Sequence, residues 1–249
     1  MNTKEPQWPN ADPVGMISPN EVHVWRLFPG TTGFHIESLQ EILSTDELER
    51  AGKFHFEKDR RRFIMARGIL RVILGRYLDK RPQQVRFEYT SFGKPILAID
   101  PGSDNISFNL SHSGEMVLYA ITRNHKIGID VERINDNVDV MQIARRFFSF
   151  CEIAELEKAH KKNHSEIFFK YWTRKEAFVK GLGKGVSCPM EQIDVSVIND
   201  KFLSPIKLPV ESNDNSSLYV RDLFPGDGYA ATIAVDSNNC NISCWHFSG

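Results

Sequence analysis

Four side chains in this sequence could converge on one point and act together: Asp130, Glu132, Glu176 and Lys180. The first two belong to Gly128-Ile129-Asp130-Val131-Glu132, an alternating segment that predicts a strand. A strand sends residues i and i+2 to the same face, so these two carboxylates point together. The other two belong to Trp172-Thr173-Arg174-Lys175-Glu176-Ala177-Phe178-Val179-Lys180, which predicts a helix. There residues i and i+4 share one side. Three carboxylates and an ammonium gathered at one point could hold a hard divalent cation and a phosphate. Each pair also has a plain reading: a solvated hairpin edge for Asp-x-Glu, and a surface ion pair worth about 0.2–0.5 kcal/mol for the helix. The neighbours weigh against it. Ile127, Ile129 and Val131 make the strand half-buried, and Tyr171, Trp172, Ala177, Phe178 and Val179 wrap the helix in apolar surface. Charged groups in such places need solvent or partners.

Other polar segments are candidates to hold an anion. Asn109-Leu110-Ser111-His112-Ser113-Gly114 offers amides, a hydroxyl and an imidazole that suit a phosphate or pyrophosphate, or it is a plain turn. Lys94 sits in Phe92-Gly93-Lys94-Pro95, where glycine and proline fix a turn. Arg50, Lys53 and Arg62 belong to a basic stretch, which is either a solvated face or an anion site. His160 and His164 are four apart, but their polar surroundings predict an exposed helix end. No Walker or GxGxxG pattern occurs, which leaves the usual nucleotide folds unsupported. The glycines of Gly181-Leu182-Gly183-Lys184-Gly185 would end the helix and let backbone approach a ligand closely.

These groups need elements to position them. Val22–Leu27 predicts a first strand, and Ser44-x-x-Glu47 has the form of a capping box that starts a helix. A long helix over about 58–79 has apolar positions at helical spacing, interrupted by Arg67. Strands are predicted over 85–89, 105–110 and 116–122, with Ser111–Gly114 as a polar break. The segment 127–132 follows 116–122 so closely that the two predict a hairpin turning at Arg123–Lys126. Helices are predicted at 140–147, 151–160 and 166–181, and short strands at 193–197, 206–210, 218–223, 229–235 and 242–247. This order gives an α+β class with two α+β halves in series, 21–124 and 125–249, after a polar leader over 1–20 that is expected to be flexible.

The 249 residues suffice for a sizeable core, and a formal net charge of −1 does not call for nucleic acid as a partner. No apolar run reaches the roughly 18 residues of a membrane span, and a signal-peptide core is missing from the N-terminus, so a cytoplasmic protein is expected. The four cysteines lack zinc-like spacing and are expected to be reduced thiols. Phe147, Phe148 and Phe150 are core or a docking surface, with core favoured.

Taken together, the segments 128–132 and 172–180 resemble the two signature motifs of the 4′-phosphopantetheinyl transferases. Phe92-Gly93-Lys94-Pro95 and Phe108-Asn109-Leu110-Ser111-His112-Ser113 resemble two further motifs of that family, in family order. With the basic region, the resemblance spans about residues 40–235, and the size is similar to the monomeric surfactin-synthetase-activating class. It implies a pseudo-dimer of two similar α+β halves with the ligand in the cleft between them. It implies transfer of 4′-phosphopantetheine from coenzyme A to a serine of an apo acyl or peptidyl carrier protein, with release of adenosine 3′,5′-bisphosphate. By the same resemblance, Asp130, Glu132 and Glu176 would hold Mg²⁺, and Lys180 would contact the phosphate and neutralise the leaving group. Glu176 would take the serine proton, directly or through a water. Ser111 and His112 would bind coenzyme A phosphates, and Lys94, with Pro95, would lie beside the nucleotide. Arg50, Lys53 and Arg62 match basic family positions by spacing alone, and Thr173 and Arg174 fall at tolerant positions of the signature. The rival expectations are a non-catalytic module that binds coenzyme A or a carrier protein, and a metal-dependent phosphoesterase.

Overall fold

The computed structural model of the protein describes residues 8–10, 17–31, 33–98, 105–183, 188–196, 204–207 and 217–248. Its two halves each set a four-stranded sheet against helices. The first sheet has the order β10-β1-β5-β4, from β1 (Glu21–Leu27), β4 (Ile106–Ser113), β5 (Met116–Arg123) and β10 (Asn241–His246). The second has the order β6-β9-β8-β7, from β6 (Ile127–Arg133), β7 (Ser204–Lys207), β8 (Ser217–Leu223) and β9 (Tyr229–Val235). A two-stranded ribbon, β2 (Phe87–Tyr89) with β3 (Pro95–Leu97), carries the Gly-Lys-Pro turn, where Gly93 takes a φ of 78°.

Alternation along the strands builds the layers. In β5 every residue from Met116 to Thr122 is buried. Val117, Tyr119 and Ile121 face the helices α1 (Ile36–Gln40) and α3 (Glu57–Leu78), while Met116, Leu118 and Ala120 face the second sheet. Ile127, Ile129 and Val131 of β6 meet them in that inter-sheet core. The opposite face of the second sheet packs on α4 (Val140–Phe147), α5 (Phe150–Lys158) and α6 (His164–Leu182). The α+β class and the two halves agree with the sequence reading.

Five local expectations are corrected. β5 and β6 do not form a hairpin: β5 pairs with β1 and β4, β6 pairs with β9, and the chain changes sheets between them. The reason is that β5 is apolar on both faces and must sit inside a sheet. Ser111–Ser113 are no break, because β4 runs to Ser113 and turns through Gly114 and Glu115. Residues 193–196 form no strand, and 197 lies outside the described residues, as do 208–210 of the strand expected there. The last strand, β10, returns to the first sheet and pairs parallel with β1, so the sheet boundary does not follow chain order. Within the segment expected to be a leader, Asn10 bridges His246, Trp8 donates from Nε1 to the Phe224 carbonyl, and Ile17 is buried in the core.

Arg67, the interruption in the long helix, is buried with Arg71 against Glu47 of α2 (Thr45–Gly52). Glu47 also accepts from the Ser44 amide, so one carboxylate starts a helix and neutralises the core-facing arginines.

β6 and α6 approach so closely that only glycine fits between them. A Cβ on Gly128 would lie 2.0 Å from the Ala177 carbonyl oxygen and 2.4 Å from the Gly181 nitrogen. Gly128→Ala is therefore expected to lose stability at the upper end of the overpacking range, about 1–3 kcal/mol. Gly52→Ala, with nothing within 4 Å, should be neutral or gain about 0.5–1 kcal/mol. Urea unfolding of both variants checks the contrast.

Candidate active site

Where the two sheets meet edge to edge, β4 and β6 run alongside each other with side chains in place of a backbone ladder. Asn109, Ser111 and Ser113 alternate on one face of β4. Asn109 Oδ1 accepts from the Ile129 amide (2.8 Å), Ser111 Oγ donates to Asp130 (2.8 Å), and Ser113 Oγ donates to Glu132 (2.7 Å). Ser113 Oγ also accepts from the Arg133 amide (3.0 Å). An open strand edge carries unpaired backbone groups, and these polar side chains satisfy part of it. The sequence reading places the Ser-His-Ser run in a loop and assigns no role to Asn109 or Ser113. The period-two spacing of Asn109, Ser111 and Ser113 is the signal that could have found them.

The cleft beside this seam has a volume of about 380 Å³ and is lined by Leu110, Ser111, His112, Asp130, Glu132, Trp172, Glu176 and Lys180. Strand geometry brings in Asp130 and Glu132, and helix geometry brings in Glu176 and Lys180 from α6, which packs directly on β6. Two other surface clefts are larger, about 570 and 550 Å³, but neither draws several carboxylates together. Chemistry, not size, singles out this one.

Charge is arranged unevenly in the cleft. Asp130 is 2% exposed; its Oδ1 accepts from Lys180 Nζ at 2.6 Å and from Ser111. Its Oδ2 is buried with no hydrogen-bond partner among the described residues. Burial pushes the Asp130 carboxyl above the usual carboxylate range, and Lys180 and Ser111 oppose that rise. Glu132 is pushed up mainly by burial, with Ser113 opposing and Asp130 adding repulsion. Glu176 is pushed up by burial and then by Asp130, against Lys180. Desolvation, then Arg62 and Lys180, lower His112 and favour its neutral imidazole, although the residue as a whole is exposed by area.

Among the described residues, no three His, Cys, Asp or Glu side chains are already gathered tightly enough to enclose an ion. Mg²⁺ does not need such a cage, since it commonly takes one or two carboxylates and completes its shell with waters and phosphate oxygens. The buried, unpartnered Asp130 Oδ2, in the cleft that Glu132 and Glu176 also line, fits that requirement.

The remaining candidates lie outside the cleft wall. Lys94 Nζ donates to the carbonyls of Ile127 (3.1 Å) and Lys180 (2.7 Å), tying the start of β6 to the last turn of α6. Burial, and then Lys180, lower its pKa to about 8. Pro95 opens β3 opposite Tyr89. Arg62 pairs with Asp59 and Glu115 (both 3.8 Å) and lies near enough to His112 to affect its charge. Arg50 packs over the rings of Phe63 and Tyr89, and Lys53 is exposed just beyond α2. Among the described residues, the hydrogen bonds of the His160 and His164 rings go to local backbone, at Lys162 and Ala159. Gly183 ends α6 in the left-handed region with a φ of 71°, and residues 184 and 185 lie outside those described.

Arg174, expected at a tolerant position, is 1% exposed and forks onto both oxygens of Asp222 (2.9 and 2.7 Å) while donating to the Val195 carbonyl. Lys175 also faces away from the cleft, pairing with Glu152 at 2.9 Å. Phe148 is core and Phe147 packs edge-on to Trp172 at 5.6 Å, but Phe150 is 94% exposed, which divides the three aromatics expected to act alike.

Comparison with known proteins agrees with this architecture. A model of the 4′-phosphopantetheinyl transferase superfamily matches residues 126–234, and one of the 4′-phosphopantetheinyl transferase N-terminal region matches residues 31–124. The chain is 36% identical over 240 residues to the 4′-phosphopantetheinyl transferase HetI of Nostoc sp. strain PCC 7120, covering 96% of this chain and 98% of that protein. It is 29% identical over 199 residues to the 4′-phosphopantetheinyl transferase Sfp of Bacillus subtilis, covering 80% and 84% of the two chains. An aligned span that takes in both halves, together with matches to both family models, leads to one conclusion: this chain belongs to the 4′-phosphopantetheinyl transferase superfamily.

Proposed function

We propose that this protein transfers the 4′-phosphopantetheine arm of coenzyme A to a serine hydroxyl of an apo carrier protein and releases adenosine 3′,5′-bisphosphate. The observation that carries this reading is the pairing, in one cleft, of a buried carboxylate oxygen without a partner and a lysine that can move onto a phosphate. Asp130, Glu132 and Glu176 would hold Mg²⁺, which when bound supplies positive charge to the pyrophosphate oxygens. Ser111 and His112 line the same wall and would contact the phosphates, with Arg50, Lys53, Arg62, Lys94 and Pro95 reserved for the nucleotide end.

The protein's own residues then do the following. Glu176 accepts no hydrogen bond from the described residues, which leaves its carboxylate able to accept one from the incoming serine hydroxyl. It takes the serine proton as the hydroxyl oxygen bonds to the pantetheine-side phosphorus. The bond from that phosphorus to the bridging oxygen breaks, and charge collects on the departing bisphosphate. Lys180 meets that charge, releasing Asp130 Oδ1 as it turns. β4, β6 and α6 all come from one chain, so the cleft needs no second copy, in keeping with a monomer. Among the described residues no helix is long and apolar enough to cross a membrane.

Intact-protein mass spectrometry tests the reading. An apo acyl carrier protein incubated with this protein, coenzyme A and Mg²⁺ should gain about 340 Da, and a chelator should abolish the gain. No gain with any of several carriers, from folded protein that binds coenzyme A, would favour the non-catalytic module.

Trp172 lines the cleft, and a carrier that presents its serine from that side would meet it. Phe147 touches that ring, Arg145 and Arg146 are exposed beside it, and Phe150 projects into solvent three residues on. Phe150→Ala is expected to raise the KM for carrier several-fold and leave the KM for coenzyme A unchanged, as read by steady-state kinetics with each substrate varied.

A further inference from the structure

Ser113 makes contacts that neither the signature motifs nor the proposed chemistry accounts for. Its hydroxyl donates to Glu132 Oε2 at 2.7 Å and accepts from the Arg133 amide at 3.0 Å. One hydroxyl therefore holds both the carboxylate and the backbone that carries it. Ser113 is itself held firmly. It is the last residue of β4, paired with Met116 across a two-residue turn. Gly114 in that turn has a φ of 57°, and the next amide, that of Glu115, donates to the Tyr229 hydroxyl at 3.2 Å. A Cβ on Gly114 would lie 2.8 Å from the same hydroxyl, so glycine is the residue that fits this turn. Short turns of this kind fix strand register.

The consequence falls on Glu132. Its side chain is long and only half-buried, so nothing but a specific contact keeps it in one rotamer. With Oε2 committed to Ser113, the other oxygen is left for a ligand. Groups that orient a metal's carboxylate or imidazole ligands in this way typically change metal affinity by about 10–100-fold when removed.

We propose that Ser113 is a positioning residue that presets the Glu132 carboxylate for a divalent cation. This inference rests on the reading of Asp130, Glu132 and Glu176 as the cation site. It makes Ser113 part of that site although it does not line the cleft.

The test is direct Mn²⁺ binding, followed by the free-ion electron paramagnetic resonance signal, to full-length protein with coenzyme A present and carrier absent. No transfer occurs under these conditions, so the readout is independent of activity. Ser113→Ala is expected to weaken Mn²⁺ binding about tenfold or more. Ser113→Thr keeps the hydroxyl and should bind close to wild type. Should Ser113→Ala fail to fold, Ser113→Cys carries the same test, because a thiol is a weak donor and binding should again weaken. Saturating Mg²⁺ should restore most of the kcat of Ser113→Ala, which loss of a merely structural contact would not produce. A folded Ser113→Ala that binds Mn²⁺ like wild type overturns the inference while leaving the cation site standing. A wild type that binds no Mn²⁺ with coenzyme A overturns both. Normal Mn²⁺ binding without transfer to any carrier counts against the transferase reading alone.

Discussion

Glu176→Gln is expected to lower the rate of transfer by about 10²–10⁴-fold, the usual contribution of a positioned general base. It should do so without loss of fold. The side chain lines the cleft, is half-buried, and takes no part in the ion pairs that lock the rest of α6. Its pKa is raised, first by burial and then by Asp130. The sign of the linkage follows. A carboxyl group whose folded pKa lies above its unfolded value favours the fold when protonated, and that contribution is lost as pH rises through the folded pKa. At neutral pH and above, ionised Glu176 therefore costs stability, and the glutamine variant should melt at the same temperature as wild type or higher. Below the glutamate range the two melting curves should converge. Thermal unfolding across pH, beside the mass-spectrometric transfer assay, checks both halves. Near-normal transfer by Glu176→Gln would remove Glu176 from the role of base. A large loss of stability at pH 8 would mean that the lost activity reports on the fold.

The same carboxylates show how much of the site the sequence could reveal. Period two places Asp130 and Glu132 on one face, and period 3.6 places Glu176 and Lys180 on one side, whatever the rest of the chain does. These local rules need only the strand and the helix to exist. What stays hidden depends on which faces meet. β6 follows β5 by a short polar turn, and nothing in that turn says that the next strand belongs to another sheet. The carboxylates thus sit at an edge-to-edge seam and not on a hairpin. The helix of residues 164–182 is apolar on most sides, so periodicity could not say which of its charges face the cleft. Phe147, Phe148 and Phe150 straddle the end of α4 and the start of α5, and their different exposures follow from a break that composition does not encode. Lys94 has the sequence setting of a nucleotide ligand, but its two carbonyl partners are visible only once β6 and α6 are packed together.

Lys175 is the sharpest case, because it stands inside a signature motif next to Glu176 and points the other way. Adjacent helical residues are about 100° apart, so one can face the cleft while the next faces the core. Lys175 and Glu152 are both fully buried, 2.9 Å apart. The ammonium also donates to the carbonyls of Met190 and Ile193 and lies over the ring of Phe148. Glu152 in turn accepts from the amides of Ser149 and Val195. One ion pair thereby joins α6 to the start of α5 and to residues 190–195. Lys175→Met is expected to cost about 3–5 kcal/mol, because it leaves a buried carboxylate without its counter-charge. At about 2–4 °C per kcal/mol for a chain of this size, the melting temperature should fall by roughly 6–20 °C. Burial already raises the Glu152 pKa, with Lys175 as the chief opposing influence, so removing the lysine raises it further. The deficit should then shrink at pH 5, where Glu152 can take up a proton, and widen at pH 8. Adding Glu152→Gln to Lys175→Met should recover part of the loss at pH 8. Denaturant unfolding of the single and double variants at the two pH values measures the cycle. At low temperature, where the single variant remains folded, its kcat should be close to wild type. A folded Lys175→Met of normal stability that has lost transfer would instead place this lysine in the chemistry.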